Sequence, residues 1–140
     1  MMGLNVLTTD EAVATLVKQL PLKLRARLRV EVLARAVQAG LIGLCADGHL
    51  LWMGGNNTLL AYFCGKMWCG DRGRYSRRKQ GHIWTMGNRT FPAAELNRLF
   101  GLTTLKQTRN RRKDRLLPQC WEVVDELWQS ALWADTRDGR

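Results

Sequence analysis

Apolar positions along the chain recur mostly at helical spacing, and the breaks between them are marked by glycine or proline. Thr8 or Thr9 followed by Asp10 and Glu11 predicts a helix start, with a hydroxyl for the free amides and acids near the positive end of the dipole. Pro21 closes that helix near Gln19. From Leu22 to Val32 the pattern alternates as a strand would, yet Leu22, Ala26, Val30, Leu33 and Val37 also form a helical stripe, with Lys23, Arg27, Glu31, Arg35 and Gln38 opposite. We read 22–40 as helix, because its Ala, Leu and Arg content favours that state and Gly40 followed by Leu41 suits a left-handed cap.

Farther on, the Asp47-Gly48 turn and the short apolar run ending in Gly54-Gly55 predict a small hairpin or one extended strand. Asn56 or Asn57 then caps a core helix in which Leu60, Phe63, Cys64 and Met67 share a face flanked by Trp68. Residues 70–91 are rich in glycine and arginine, and only Ile83, Trp84 and Met86 cluster as apolar candidates for burial, so a mobile basic loop followed by a short extended piece is expected. Thr90 caps the next helix, with Pro92 in its first turn, Phe91, Leu96, Leu99 and Phe100 as its buried side, and Gly101 as its stop. A polar helix begins around Thr103. Pro118 opens the last helix, where Trp121, Val124, Trp128 and Ala131 form a stripe and Glu122, Asp125 and Glu126 a wet face. The expected fold is mainly α: a single small helical domain over 1–134 with a minor extended or β element, followed by a flexible tail at 135–140. Within it lie a helical part at 8–40, a helix-turn-helix-like part at 50–115 and the C-terminal helix at 118–134.

Two helices joined by a glycine turn, the second one polar, are the sequence form of a helix-turn-helix. With Leu105 facing inward, Leu102 lies beside it, Thr103, Gln107 and Asn110 point away, and Thr104, Lys106 and Arg111 border the outward arc. Gln and Asn pair with adenine and Arg with guanine, so Thr103, Thr104, Lys106, Gln107, Asn110 and Arg111 are the candidate base readers. Arg109 and Arg112 lie nearer the inward flank, with stems long enough to reach phosphates. The inward apolar position after Gly101 falls on Gln107, so a winged or otherwise divergent form is expected.

Charge sharpens this picture. The 140 residues carry a net charge of +10; residues 71–115 alone account for +10, against +3 over 1–70 and −3 over 116–140. A concentrated positive segment attracts polyanions. Arg72, Arg74, Arg77, Arg78, Lys79 and Arg89, together with Arg109, Arg112 and Lys113, are therefore the candidate contacts to the DNA backbone. The plain alternative is a solvated face, since any cation is favoured in the last turn of a helix.

Other chemistry is weaker. Cys45 and His49, with Cys64 and Cys69, offer zinc ligand types, but Cys64 and Cys69 diverge on a helix, and free thiols with no metal are expected. His82 near Tyr75, Arg78 and Lys79 would suit a ribonuclease, but no carboxylate pair or second well-placed histidine accompanies it, so the protein is not expected to be an enzyme. Gly54-Gly55-Asn56-Asn57 lacks the lysine and spacing of a nucleotide loop, and no cofactor is expected. No window reaches the ~18 apolar residues of a membrane span, and no signal sequence is recognised, so a cytoplasmic protein with no membrane partner is expected. Trp133, near the acidic C-terminus, is the candidate for a homodimer face.

Trp52-x-Gly54, the polar cap and leucine-rich helix, a variable loop, a helix ending in Leu99-Phe100-Gly101 and a basic helix with Arg109 follow one another over residues 50–115. This order resembles the C-terminal part of RteC-type regulators and related small proteins of Bacteroides mobile elements. The resemblance implies a helix-turn-helix that binds DNA in the control of transcription or element excision. Duplex DNA is thus the expected partner, with RNA, or an acidic protein docked by the basic face, as the alternatives.

Overall fold

The computed structural model describes residues 9–110 and 116–138, with side chains for 11–110 and 116–129. Over these residues the chain is mainly α with two small antiparallel sheets. The order is α1 (Thr9–Gln19), α2 (Leu22–Arg25), α3 (Val30–Gln38), β1 (Ile42–Leu44), β2 (Leu50–Trp52) and α4 (Asn57–Cys64), which runs into a π-helical turn (Gly65–Cys69). After it come β3 (Arg72–Ser76), β4 (Gly81–Thr85), α5 (Ala93–Phe100), α6 (Leu105–Asn110) and α7 (Trp121–Asp138).

At the centre is α4. Asn56 caps it, its Oδ1 accepting the Leu59 amide at 2.9 Å. From Leu59 to Cys69 every residue except Lys66 is buried, as expected of a helix that is apolar on all sides and packs against both α6 and α7. Lys66 is only 11% exposed; its ammonium lies 3.4 Å from Asp125 Oδ1 and 5.0 Å from the centre of the Trp128 ring. The Tyr62 hydroxyl donates to the same Asp125 oxygen at 2.6 Å. Burial, and then this carboxylate, push the Tyr62 phenol far above its ordinary range. Asp125 therefore turns inward and does not join the wet face of α7, because a buried lysine and phenol need it there.

The 22–40 segment is helical but broken. Trp68 Nε1 donates to the Leu24 carbonyl at 2.8 Å, drawing that oxygen out of the ladder, and the Arg29 amide turns to Met67 Sδ. Helical phase is lost across the break, so the predicted stripe fails: Leu22 and Val30 are exposed, while Leu24, Val32, Leu33, Ala34 and Ala36 are buried. The end of α3 matches expectation. Gly40 has φ +79°, and the Gly40 and Leu41 amides donate back to the Val37 and Ala36 carbonyls.

Both extended regions are hairpins. β1 and β2 pair from Ile42↔Trp52 to Leu44↔Leu50 around the Asp47-Gly48 turn. The basic loop expected over 70–91 is instead the β3–β4 hairpin, in register from Arg72↔Thr85 to Ser76↔Gly81 with Arg77–Gln80 as its turn. One face buries Trp84 against the edge of Tyr62, with ring centres 5.2 Å apart, and there Gly73 leaves room for Leu117, which a Cβ would strike. The opposite face carries Arg72 and Arg74.

Two helices start later than expected. Pro92, not Thr90, stands at the cap of α5, and α7 begins at Trp121 after Cys120 takes a left-handed backbone with φ 65°. Helix α7 also continues through 135–138, where a flexible tail was expected. Ala131 and Trp133 lie outside the described side chains. Gly101 ends α5 at φ +66° with open space around its Cα, so only backbone strain opposes a side chain there. Gly101→Ala should cost about 1 kcal/mol and lower Tm by about 3 °C in thermal unfolding.

Candidate nucleic-acid interface

The geometry of the basic region is set by Asp71, which with Gly70 joins the π-helical turn to β3. Gly70, at φ +86°, sends its own amide and that of Asp71 to the Gly65 carbonyl, which turns the Asp71 side chain inward. There its carboxylate receives four hydrogen bonds. Arg109 Nε and Nη2 donate at 2.8 and 2.7 Å, Trp84 Nε1 at 2.8 Å and the Gly87 amide at 2.6 Å. The Asp71 side chain has no exposure and that of Arg109 only 8%, and the guanidinium also lies 5.4 Å from the centre of the Phe91 ring. A methyl group at Gly65 would strike this carboxylate, and one at Gly87 the Cys69 backbone.

Arg109, expected to reach phosphate, is instead held inside: its Nε–Nη2 edge is taken by the Asp71 carboxylate and its side chain is only 8% exposed. Its role is to fix α6. Asn97 completes the approach to that helix. Its carbonyl accepts the Leu102 amide at 2.8 Å, closing the Gly101 turn, and its Oδ1 accepts the Leu105 amide at 3.3 Å.

With Leu105 and Arg109 buried, Lys106, Gln107 and Asn110 are exposed along α6. Thr103 and Thr104 are exposed as well, but they stand in the lead-in, since α6 starts at Leu105. Arg111, Arg112 and Lys113 lie outside the described residues. On the hairpin, Arg72 and Arg74 project from the outward face of β3, and Arg77, Arg78 and Lys79 crown the turn, all exposed. Arg89 is exposed in the connection to α5. Among the described residues Arg72, Arg74, Arg77, Arg78 and Arg89 form no ion pair, whereas Lys23, Arg29, Lys66 and Arg109 each meet a carboxylate.

An aromatic row escapes sequence reasoning. His82 sits 5.4 Å from Tyr75 and 4.4 Å from Trp121, ring centre to ring centre, and Tyr75 is 61% exposed. The pairing of Tyr75 with His82 across the hairpin is its signal, legible only once a hairpin is assigned. Cys64 and Cys69 are buried while Cys45 and Cys120 are exposed, and among the described residues no three His, Cys, Asp or Glu side chains gather as metal ligands. Burial raises both buried thiols above their ordinary range.

Comparison of the chain with protein-family models, with curated proteins and with solved structures finds no match.

Removing either partner strands a charge or a set of donors in the interior. Arg109→Gln should accordingly cost about 3 kcal/mol in denaturant unfolding. Unchanged stability would mean that the Asp71–Arg109 pair does not form in solution.

Proposed function

We propose that the protein binds duplex DNA, with α5 and α6 as a divergent helix-turn-helix and the β3–β4 hairpin as a basic appendage on the phosphate backbone. One contrast carries this reading. Among the described residues one arginine of the basic segment, Arg109, is spent inside, where it holds α6, while five arginines of the hairpin and its exit lie exposed with no acidic partner. An outward helix face of Lys106, Gln107 and Asn110 suits base edges in the major groove, and Arg72, Arg74, Arg77, Arg78, Lys79 and Arg89 suit phosphates. Because the hairpin precedes the helix pair, it differs in order from a wing that follows a recognition helix. The resemblance to mobile-element regulators extends the reading to control of transcription or excision. No helix among the described residues is long and apolar enough to cross a membrane.

A second reading rests on the aromatic row: exposed Tyr75 beside His82 and Trp121, next to a basic turn, would stack the bases of single-stranded RNA. Competition between duplex DNA and structured RNA separates the two.

Neutralisation of about six phosphates should weaken duplex binding by about three decades between 50 and 200 mM salt. Gln107→Ala or Asn110→Ala should relax preference among sequences selected from a random duplex library, while Arg78→Ala should weaken all of them alike. A salt-independent affinity would overturn the mechanism, and equal effects from both classes of variant would overturn the assignment of the reading face.

A further inference from the structure

A separate cleft of about 390 Å³ opens between α2 and the segment leading into α5, lined by Lys23, Arg27, Trp68, Asn88, Arg89 and Thr90 together with Pro92. Its volume lies within the roughly 300–1,000 Å³ usual for small-ligand sites. Three of the lining side chains are cations and none is a carboxylate. The cations come from segments more than sixty residues apart in the chain, so local sequence does not explain their meeting. The fold brings them together: the indole of Trp68, buried in the core, holds the Leu24 carbonyl at 2.8 Å and seats α2 against the π-helical turn. Lys23 is shared with Glu95 at 3.7 Å, whereas Arg27 and Arg89 have no acidic partner among the described residues.

We propose that this cleft is a phosphate-binding site. Two guanidinium forks match the oxygens of a phosphate group, Lys23 adds a point charge, and the Asn88 amide and Thr90 hydroxyl supply neutral hydrogen bonds beside an apolar wall of Trp68 and Pro92. The phosphate belongs either to a nucleic-acid backbone or to a free phosphorylated small molecule. The site stands independently of the duplex reading, because phosphate alone is enough to occupy it and only Arg89 is common to both.

The test is a titration of the ¹⁵N-labelled full chain with inorganic phosphate at constant ionic strength, following the amide and guanidinium signals by NMR. Saturable shifts at Arg27, Arg89 and Thr90, weakened about tenfold in Arg27→Gln at unchanged Tm by loss of one charge-assisted contact, are expected. Shifts that do not saturate, or that are matched at Arg25 and Arg35 outside the cleft, overturn the site. Given saturation, adenosine monophosphate and a short DNA duplex identify the source. A duplex that moves the cleft signals and is competed by phosphate assigns a backbone phosphate. Movement by the nucleotide alone assigns a free ligand, and the duplex then reports on α6 separately.

Discussion

Everything in the basic half of this protein depends on one buried carboxylate. Isolated in the interior, Asp71 would cost several kcal/mol in lost hydration, and so would Arg109. Together they are tolerable because the carboxylate is fully served: two guanidinium N–H groups, an indole N–H and a backbone amide all end on its two oxygens. These donors come from α6, β4 and the loop after β4, so a single side chain ties three segments together. Gly65 and Gly87 belong to the same arrangement, since the space a side chain would need is already filled by the carboxylate and the Cys69 backbone. Hydrophobic clusters of equal volume are often as stable as a buried ion pair. Such a cluster would not set the rotation of α6, which the bidentate fork does.

How much of this is legible in sequence depends on whether local rules were in command. At four caps and stops they were: Asn56, Gly40, Gly101 and Pro21 act where their chemistry predicts, because a cap is an interaction within a few residues, although the starts expected at Thr90 and Pro118 come later. Predictions failed where a distant partner overrode the local rule. Trp68 breaks the helix at Leu24 from forty-four residues away, and the phase of the stripe beyond it goes with it. The hairpin at 72–85 reads as a loop because its outward face is arginine and its inward face has glycine at Gly73, which Leu117 covers. Asp125 reads as a wet residue because nothing local reveals Tyr62 and Lys66 beneath it. The clue to Arg109 was available: Asp71 is the one acid in a run of arginines, and an isolated opposite charge in such a run calls for a buried partner.

Four acids among the described residues are paired with cations within the fold. Asp71 serves Arg109, Asp125 serves Lys66 and Tyr62, Glu95 serves Lys23 and Glu31 serves Arg29. Pairing of this kind leaves a net charge of +10 to be expressed mainly by side chains that have no such partner. Mutual repulsion among them works against the folded state and is screened by salt or by a bound polyanion. A protein built this way is expected to gain stability from anions, whatever their identity.

The hairpin also brings together charges that are distant in sequence. Arg109 is held by Asp71 directly before β3, and on the far side the Leu117 amide donates to the His82 carbonyl at 2.9 Å while Leu116 bridges to Ile83 of β4. The chain on both sides of residues 111–115 is thus tied to the hairpin that carries Arg72, Arg74, Arg77 and Arg78. Two independent basic loops would each have to be ordered on binding, at roughly 0.5–1.5 kcal/mol for every long side chain immobilised and more for the backbone. Here the backbone share is met during folding by the Asp71 cluster. On the proposed reading, that is why an arginine of the basic helix is better placed inside than on the phosphate.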